Sequence, residues 1–587
     1  REPSARRLIL TGVMAGLAAG SKATTALIVP IFFLLALVLP GEDQGTRPLL
    51  ARFGRRLLAM MGMAGVAAIT LWAIFGFEVG PLTPGGLPLP APTYVSGLPR
   101  MMQRIARGTP TYLLGRTSDT GWWYYFGLTF LLKTPLPTLI LLAGGIANAI
   151  RRPRETAIWW LPALVYLLAA SASTLQIGYR YILPVLFFAI ALAASQFRRW
   201  PRARWQRIGL GLLGLWLIID AAWTYPHHLS FANEAIGGPR QSWRHFADMN
   251  VDWGMDLIAL REYEVAHPDL NGELNLAYFG SAYSSAYGVT ARMLPSFSRA
   301  LAGPTYHAYN AHTPPPGAYA ISATSLHLGL LYEGQDMYAY FRAREPDARV
   351  GGSILIYRVD YPPEMPVDRA VVIGPSVWRL SPEALDWQPG HQLVAKWSAE
   401  RSFILPAAGP AHYVVEREIP NTPAIRAALR GDDPRQIVSS LPASSPATTP
   451  DGVEVAWPAS FEGGPELIGW EVTNANITPG DAIGLLTRWR VTDPLPAPPI
   501  DAFVHLMDAA YADGAPVAQW DGWPAALLGL EPGDVLIFEH TIATPATLAP
   551  GEYPLYIGLY RPPHGPRLPV AGSDRLRLTT VEVEDGD

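Results

Sequence analysis

The sequence predicts a multi-domain chain. A polytopic α-helical membrane domain of about seven spans is expected over 1–225, a small external α/β region over 226–361, and C-terminal all-β sandwich modules beyond. Three observations carry that expectation. Long apolar runs are confined to the first 225 residues. Strand-like runs alternate with a helical one up to about Asp360. After Pro362, short alternating runs are punctuated by Pro-Gly turns at Pro479-Gly480, Pro532-Gly533 and Pro550-Gly551.

Composition narrows the classes. The chain has 587 residues, 49% hydrophobic and only 16% charged, against roughly 25% charged in ordinary soluble domains. A purely soluble enzyme and a disordered scaffold are both excluded. A net charge of −4 provides no basic footprint, so no nucleic-acid partner is expected. The absence of cysteine removes disulfides, thiolate chemistry and Cys-ligated metals. The chain opens Arg1-Glu2-Pro3 and enters an apolar run within eight residues. It therefore reads as a fragment of a longer protein, with no signal-peptide cleavage pattern.

Seven apolar segments are expected to cross the bilayer: Leu8–Gly20, Ala23–Leu39, Leu57–Phe77, Thr134–Ile150, Ala157–Ser173, Tyr181–Phe197 and Ile208–Thr224. Several are shorter than the roughly 20 residues of an upright span. Arginine clusters fix the parity: Arg1, Arg6 and Arg7; Arg47, Arg52, Arg55 and Arg56; Arg151, Arg152 and Arg154; Arg198, Arg199, Arg202, Arg204 and Arg207. With all four on the cytoplasmic side, seven crossings close, and Lys22, the 78–126 loop and everything after Tyr225 fall outside.

The chain has three lysines, Lys22, Lys133 and Lys396. Lys22, Lys133 and Arg180 sit at predicted outer ends of three segments, so three cations end at one membrane depth. Snorkelling to headgroups is one explanation. An anionic ligand such as a lipid phosphate is the other, gripped by Lys as a point charge and by Arg as a fork. The loop between the third and fourth segments begins Gly86-Leu87-Pro88-Leu89-Pro90 and ends Gly121-Trp122-Trp123-Tyr124-Tyr125-Phe126. Residues 98–106 suit a short amphipathic helix on the membrane. The aromatic run is either an interfacial belt or a platform for a sugar or headgroup. His227 and His228, being adjacent, diverge on any regular element and do not suggest a metal site.

Eight motifs in order carry a resemblance. They are Gly16-Leu17-Ala18-Ala19-Gly20-Ser21-Lys22, Leu87 to Pro92, Tyr112-Leu113-Leu114-Gly115, Gly121 to Phe126, Lys133-Thr134-Pro135-Leu136-Pro137, Gly178-Tyr179-Arg180-Tyr181-Ile182-Leu183-Pro184, Asn233 to Pro239, and Asn250-Val251-Asp252-Trp253-Gly254-Met255-Asp256-Leu257. Together, over residues 8–360, they resemble the polyprenyl-phosphate-dependent C-type glycosyltransferases of the protein O-mannosyltransferase type (glycosyltransferase family 39). The resemblance implies a multi-pass plasma-membrane enzyme with its C-terminal region extracytoplasmic. It would move one sugar, with inversion, from a polyprenyl-phosphate carrier to a protein, lipid or glycan acceptor, with no cofactor and no metal. Lys22, Lys133 and Arg180 match positions near the carrier phosphate. Tyr112, Trp122, Trp123, Tyr124, Tyr179, Tyr181, Asp252 and Trp253 are candidate sugar or acceptor contacts. The family's catalytic acid is expected upstream of Arg1, so this fragment alone is expected to be inactive, and Glu78 and Asp119 are poor substitutes.

Beyond the membrane half, Met255–His267 is expected to be a helix. Strands are expected at 274–280, 316–322 and 353–359. Asp252, Trp253 and Asp256 form a carboxylate–aromatic cluster that suits sugar hydroxyls, capping or packing equally. A β-rich module is expected over 362–445, a linker at Leu441–Pro450, and a β-sandwich over 453–587 with strands at 453–457, 484–491, 502–508 and 553–560. The alternative function is a non-enzymatic membrane transporter or a glycan-binding receptor. A transporter would show internal repeats and midplane broken helices, and no repeat is found.

Overall fold

The computed structural model describes all residues except 1–3, 40–48, 84–85, 198–200, 202, 271–273, 297–303, 330, 332–333, 443–445, 493–499, 510–513, 563–564 and 586–587. Of the expected cytoplasmic cluster, Arg1, Arg47, Arg198, Arg199 and Arg202 lie outside the described residues. The chain divides into two compact units, Arg1–Asp252 and Trp253–Asp587. The boundary thus falls after Asp252 rather than at Tyr225, because residues 226–252 hydrogen-bond to the helices that precede them.

All seven apolar segments are helical. The first unit contains α1 (Ala5–Ser21), α2 (Ile28–Val38), α3 (Leu49–Ile74), α4 (Pro92–Arg107), α5 (Tyr125–Lys133), α6 (Leu136–Arg151), α7 (Pro153–Ser171), α8 (Leu183–Ser195) and α9 (Arg204–Thr224). The expectation of about seven spans is not met. Among the described residues two helices, Gly54–Ile74 and Arg204–Thr224, are long and apolar enough to cross a membrane. A third is reached if α5 and α6, bent by 117° at their junction, form one span. The cause is helix punctuation. Pro135, Pro153 and Pro184 stand at the capping, first and second positions of new helices, where proline is tolerated and an earlier helix cannot continue through it. The 11 residues of α2 rise only about 17 Å, against a hydrocarbon core of about 30 Å.

Close backbone approach holds α1 to α3. A Cβ added at Gly12 would lie 2.7 Å from Val66 Cβ, and one at Gly16 would lie 2.5 Å from the Ala67 carbonyl. Small residues four apart on one helix face allow this packing in an apolar setting. The loop ahead of α5 is built from two short antiparallel hairpins, β1 (Val79–Pro81) with β2 (Pro88–Pro90) and β3 (Thr111–Leu113) with β4 (Arg116–Ser118). The expected amphipathic helix lies between them as the longer α4.

The second unit opens with the helix Leu257–Ala266 and a five-stranded sheet of β5 (Leu274–Ala277), β6 (Ala291–Met293), β7 (Gly317–Ser322), β8 (Ala348–Val350) and β9 (Ile354–Val359) in the order β6-β5-β7-β9-β8. The β5 strand pairs in parallel with β6 and β7, while β9 is antiparallel to β7 and β8. Asp256 ties the helix start to the β8–β9 turn. Its Oδ2 accepts the Gly352 and Ser353 amides, each at 2.8 Å, and the Ser353 hydroxyl at 2.7 Å.

Strands β10 (Val367–Ile373), β11 (Gln392–Ser398), β12 (Ser402–Leu405) and β13 (His412–Val415) follow. They do not make the separate module expected at 362–445. The first, second and fourth form a parallel sheet, but β12 joins a sheet of the C-terminal sandwich. That sandwich comprises β14 (Ala459–Ser460), β15 (Glu466–Val472), β16 (Asn476–Ile477), β17 (Ala482–Arg490), β18 (Asp501–Leu506), β19 (Ala518–Gly522), β20 (Val535–Ala543), β21 (Gly551–Tyr560) and β22 (Leu576–Val583). Its sheets run β12-β20-β17-β15-β14 and β16-β22-β21-β18-β19. One buried core spans Val371, Phe403, Trp489, Phe538 and Leu555. The expected linker is partly structural, since Ala447 is buried in this core and Thr448 bridges Arg577. Residues 453–457 are not a strand, and Glu454 makes one isolated bridge.

Lys396 ties β11 to the segment that leads into β20. Its fully buried ammonium donates to Asp534 Oδ2 at 2.6 Å, Glu531 Oε2 at 2.8 Å and the Gly529 carbonyl at 3.0 Å. Removing one partner of a buried ion pair leaves the other charge unpaired, at a cost of about 3–5 kcal/mol. Lys396→Met is therefore expected to lower the unfolding free energy by about that amount in urea titrations. An unchanged midpoint would show that the cluster is not a structural lock.

Candidate functional site

The candidate site is organised by the single turn Tyr179–Ile182 that precedes α8. Gly178 enters it at φ 109°, a conformation open to glycine and strained for other residues. A Cβ there would come within 3.0 Å of Met249 Cβ and 3.2 Å of the Met249 carbonyl carbon. The turn thus packs directly on residues 248–250. Asn250 makes the joint: its Oδ1 accepts the Tyr179 amide at 2.8 Å, and its Nδ2 donates to the Tyr125 hydroxyl at 2.9 Å.

The three predicted cations separate into two roles. Lys22 Nζ lies 5.1 Å from the centroid of the Tyr181 ring, and the Arg180 guanidinium lies 5.3 Å from the same centroid. Both cations are exposed, and a ring face attracts each. Lys133 points inward instead. Its ammonium donates to the Leu229 carbonyl at 2.9 Å and to the Asn250 carbonyl, and sits 5.4 Å from the Phe246 ring centroid. The structure therefore brings Lys22 and Arg180 to one aromatic ring and gives Lys133 backbone carbonyls to hold. Sequence position at one membrane depth did not separate these orientations.

The aromatic candidates divide similarly. Tyr112 is buried and its hydroxyl donates to the Arg244 carbonyl at 2.7 Å. The Tyr179 hydroxyl pairs with Thr134 Oγ1 at 2.9 Å, and its ring stacks on Phe130. These two are structural. Trp122 stacks on Tyr124 at 6.1 Å, and Trp123, 79% exposed, meets the Tyr124 ring edge-on at 5.7 Å. Gln176 fixes this run, accepting the Trp122 amide at 2.9 Å and donating to the Trp122 carbonyl at 2.8 Å. Gly121 is required there, since a Cβ would lie 2.2 Å from Gln176 Oε1. Asp252 is buried at the end of the first unit, whereas Trp253 opens the second, exposed and packed edge-on against Phe279.

Of the loop carboxylates, Glu78 accepts the Thr93 hydroxyl at 2.8 Å and Asp119 is exposed. The side chains that sequence reasoning missed are Asn250, Gln176 and Asp248. Asn250 stood within a quoted motif, but its role as a two-way bridge has no local pattern. Asp248 is buried with φ 57°. Burial pushes its carboxyl up to about 6, against the opposing pull of the Met249 amide and the Arg180 guanidinium. Among the described residues no group of three His, Asp or Glu side chains is placed to hold a metal ion. No family model, curated protein or solved structure matches the chain.

Asp248 gives a pH signature. The native state keeps its proton up to about pH 6, while the unfolded chain releases it near the ordinary value of 3.8. Stability contributed by protonation is full below about pH 4 and is lost as pH rises to about 6, by up to about 3 kcal/mol. In Asp248→Asn, thermal unfolding of the detergent-solubilised chain should lose that slope. A slope retained in the variant would assign it to another group.

Proposed function

We propose that this chain is the carrier-binding part of a membrane glycosyltransferase that moves a sugar from a polyprenyl-phosphate carrier to an acceptor on the outer face. Its C-terminal unit would be extracytoplasmic in a multi-pass plasma-membrane protein. The observation that supports this most is the pair of exposed cations, Lys22 and Arg180, gathered on the ring of Tyr181. They come from different segments of an apolar helical unit and stand beside the turn that Asn250 anchors.

The chemistry follows from charge. As the acceptor oxygen attacks the anomeric carbon, the bond from that carbon to the carrier phosphate breaks and its electron pair stays on the phosphate. The acceptor proton passes to a base. Fixed cations at the phosphate stabilise this developing charge more than the ground state. Arg180 offers a planar fork and Lys22 a point charge. The exposed Trp123 and the Trp122–Tyr124 stack offer apolar ring faces of the kind sugars cover. Lys133 serves as a positioning residue, holding residues 229 and 250 so that Tyr179 to Tyr181 keep their place.

Binding and folding separate these roles. With the full chain in detergent and polyprenyl phosphate as probe, Lys22→Ala and Arg180→Ala should each weaken binding about tenfold or more, the scale of a charge-assisted hydrogen bond. Their thermal unfolding should stay near the parent's. Lys133→Met should instead lower the unfolding midpoint. Unchanged binding in the Lys22→Ala, Arg180→Ala double variant would remove the carrier site. Sugar transfer from a polyprenyl-phosphate donor by a longer protein that supplies the expected catalytic acid, abolished by the same double variant, would extend the result to turnover.

A further inference from the structure

A second site lies in the first unit at the end of α9, and it does not rest on the reading above. The last turns of α9 and residues 231–240 enclose a cavity of about 430 Å³. Trp216, Trp223 and Phe231 form its apolar walls, and Asp220, Glu234 and Arg240 supply its charges. Glu234, Gly237, Gly238 and Pro239 of the Asn233-to-Pro239 motif make one side of it.

The charges are arranged rather than scattered. Trp216 Nε1 donates to Glu234 Oε1 at 2.7 Å, which orients that carboxyl. Asp220 lies close enough to Glu234 for their carboxyls to interact electrostatically. Asp220 Oδ2 is buried and receives no protein donor. Two neighbouring carboxylates repel each other, and a cation placed between them relieves that repulsion. Two acids and one guanidinium line the cavity, so it favours a ligand carrying positive charge at the acid pair. The indole faces of Trp216 and Trp223 add cation–π attraction for such a group. An ionisable residue inside a helix long and apolar enough to cross a membrane also marks a site rather than a packing position.

The apolar side of the ligand is equally defined. Ile218, Ile219 and Trp223 on α9 are exposed at 67%, 49% and 68%, so the cavity opens beside a continuous apolar strip on a membrane-length helix. We propose that this cavity binds the headgroup of a zwitterionic amine phospholipid, with its ammonium on the Asp220–Glu234 pair and its phosphate on Arg240. The acyl chains then lie along the α9 strip.

The full chain in mild detergent can be titrated with short-chain phosphatidylethanolamine and with phosphatidylglycerol, read by tryptophan fluorescence and by lipid retained in native mass spectrometry. Phosphatidylethanolamine should bind at least about tenfold more tightly than phosphatidylglycerol. Glu234→Gln and Asp220→Asn should each erase that preference, and Arg240→Gln should weaken binding of phosphatidylethanolamine. Trp223→Leu, at an exposed position, should weaken it without changing thermal unfolding, which keeps the test independent of folding. Equal affinity for the two lipids overturns the assignment. So does a preference that survives the Asp220→Asn, Glu234→Gln double variant, or a neutral methyl glycoside that fills the cavity while phosphatidylethanolamine does not.

Discussion

The first unit depends on satisfying polar backbone where its apolar helices break. Around Lys133 the chain leaves α5, turns by 117° and starts α6. Such a break exposes carbonyls and amides that an apolar surrounding cannot solvate. The sequence answers with side chains from far along the chain. Asn233 Nδ2 donates to the carbonyls of Leu131 and Thr134 at 2.6 and 3.0 Å, and the Asn233 amide donates to Leu132. Lys133 returns the tie through the carbonyls of Leu229 and Asn250. The helical layer and residues 226–252 are therefore one polar network wrapped in apolar helices, and the Tyr179–Ile182 turn rests on it.

Much of the secondary structure was legible because it is written locally. The helix at Leu257–Ala266 and the strands β5, β7, β9, β17, β18 and β21 fall within a few residues of their expected places, since each carries its own periodicity and turn signals. The misreadings share another cause. Strands β12, β15, β20 and β22 were not singled out, and they take meaning from partners distant in sequence. The β12 strand is the clearest case, because its partners Val535–Phe538 of β20 lie 130 to 136 residues away. The same limit explains the separate module assigned to 362–445, whose strands share a core that only assembly creates.

The candidate site repeats that division. Residue type and position identified Lys22, Arg180 and Tyr181, and the fold brings those three together. Orientation was not legible. Lys133 sits in a motif as suggestive as the others, yet its ammonium caps carbonyls 96 and 117 residues downstream. Lys396 shows the same behaviour in the second unit, where the carboxylates of Asp534 and Glu531 and the Gly529 carbonyl hold it. A lysine that is rare in a chain rich in arginine is thus a marker of a specific task, and in two of three cases that task is internal.

The long reach of the Lys133 tie bears on how the protein is made. A ribosome releases α5 and α6 well before it synthesises Leu229 and Asn250. Until those residues emerge, the ammonium and the carbonyls at the helix break have none of their final partners. The early helices must then wait in a provisional arrangement, with water or other proteins covering the break. A nascent chain halted after Thr224 would hold every apolar helix of the unit and still lack the clasp that settles them.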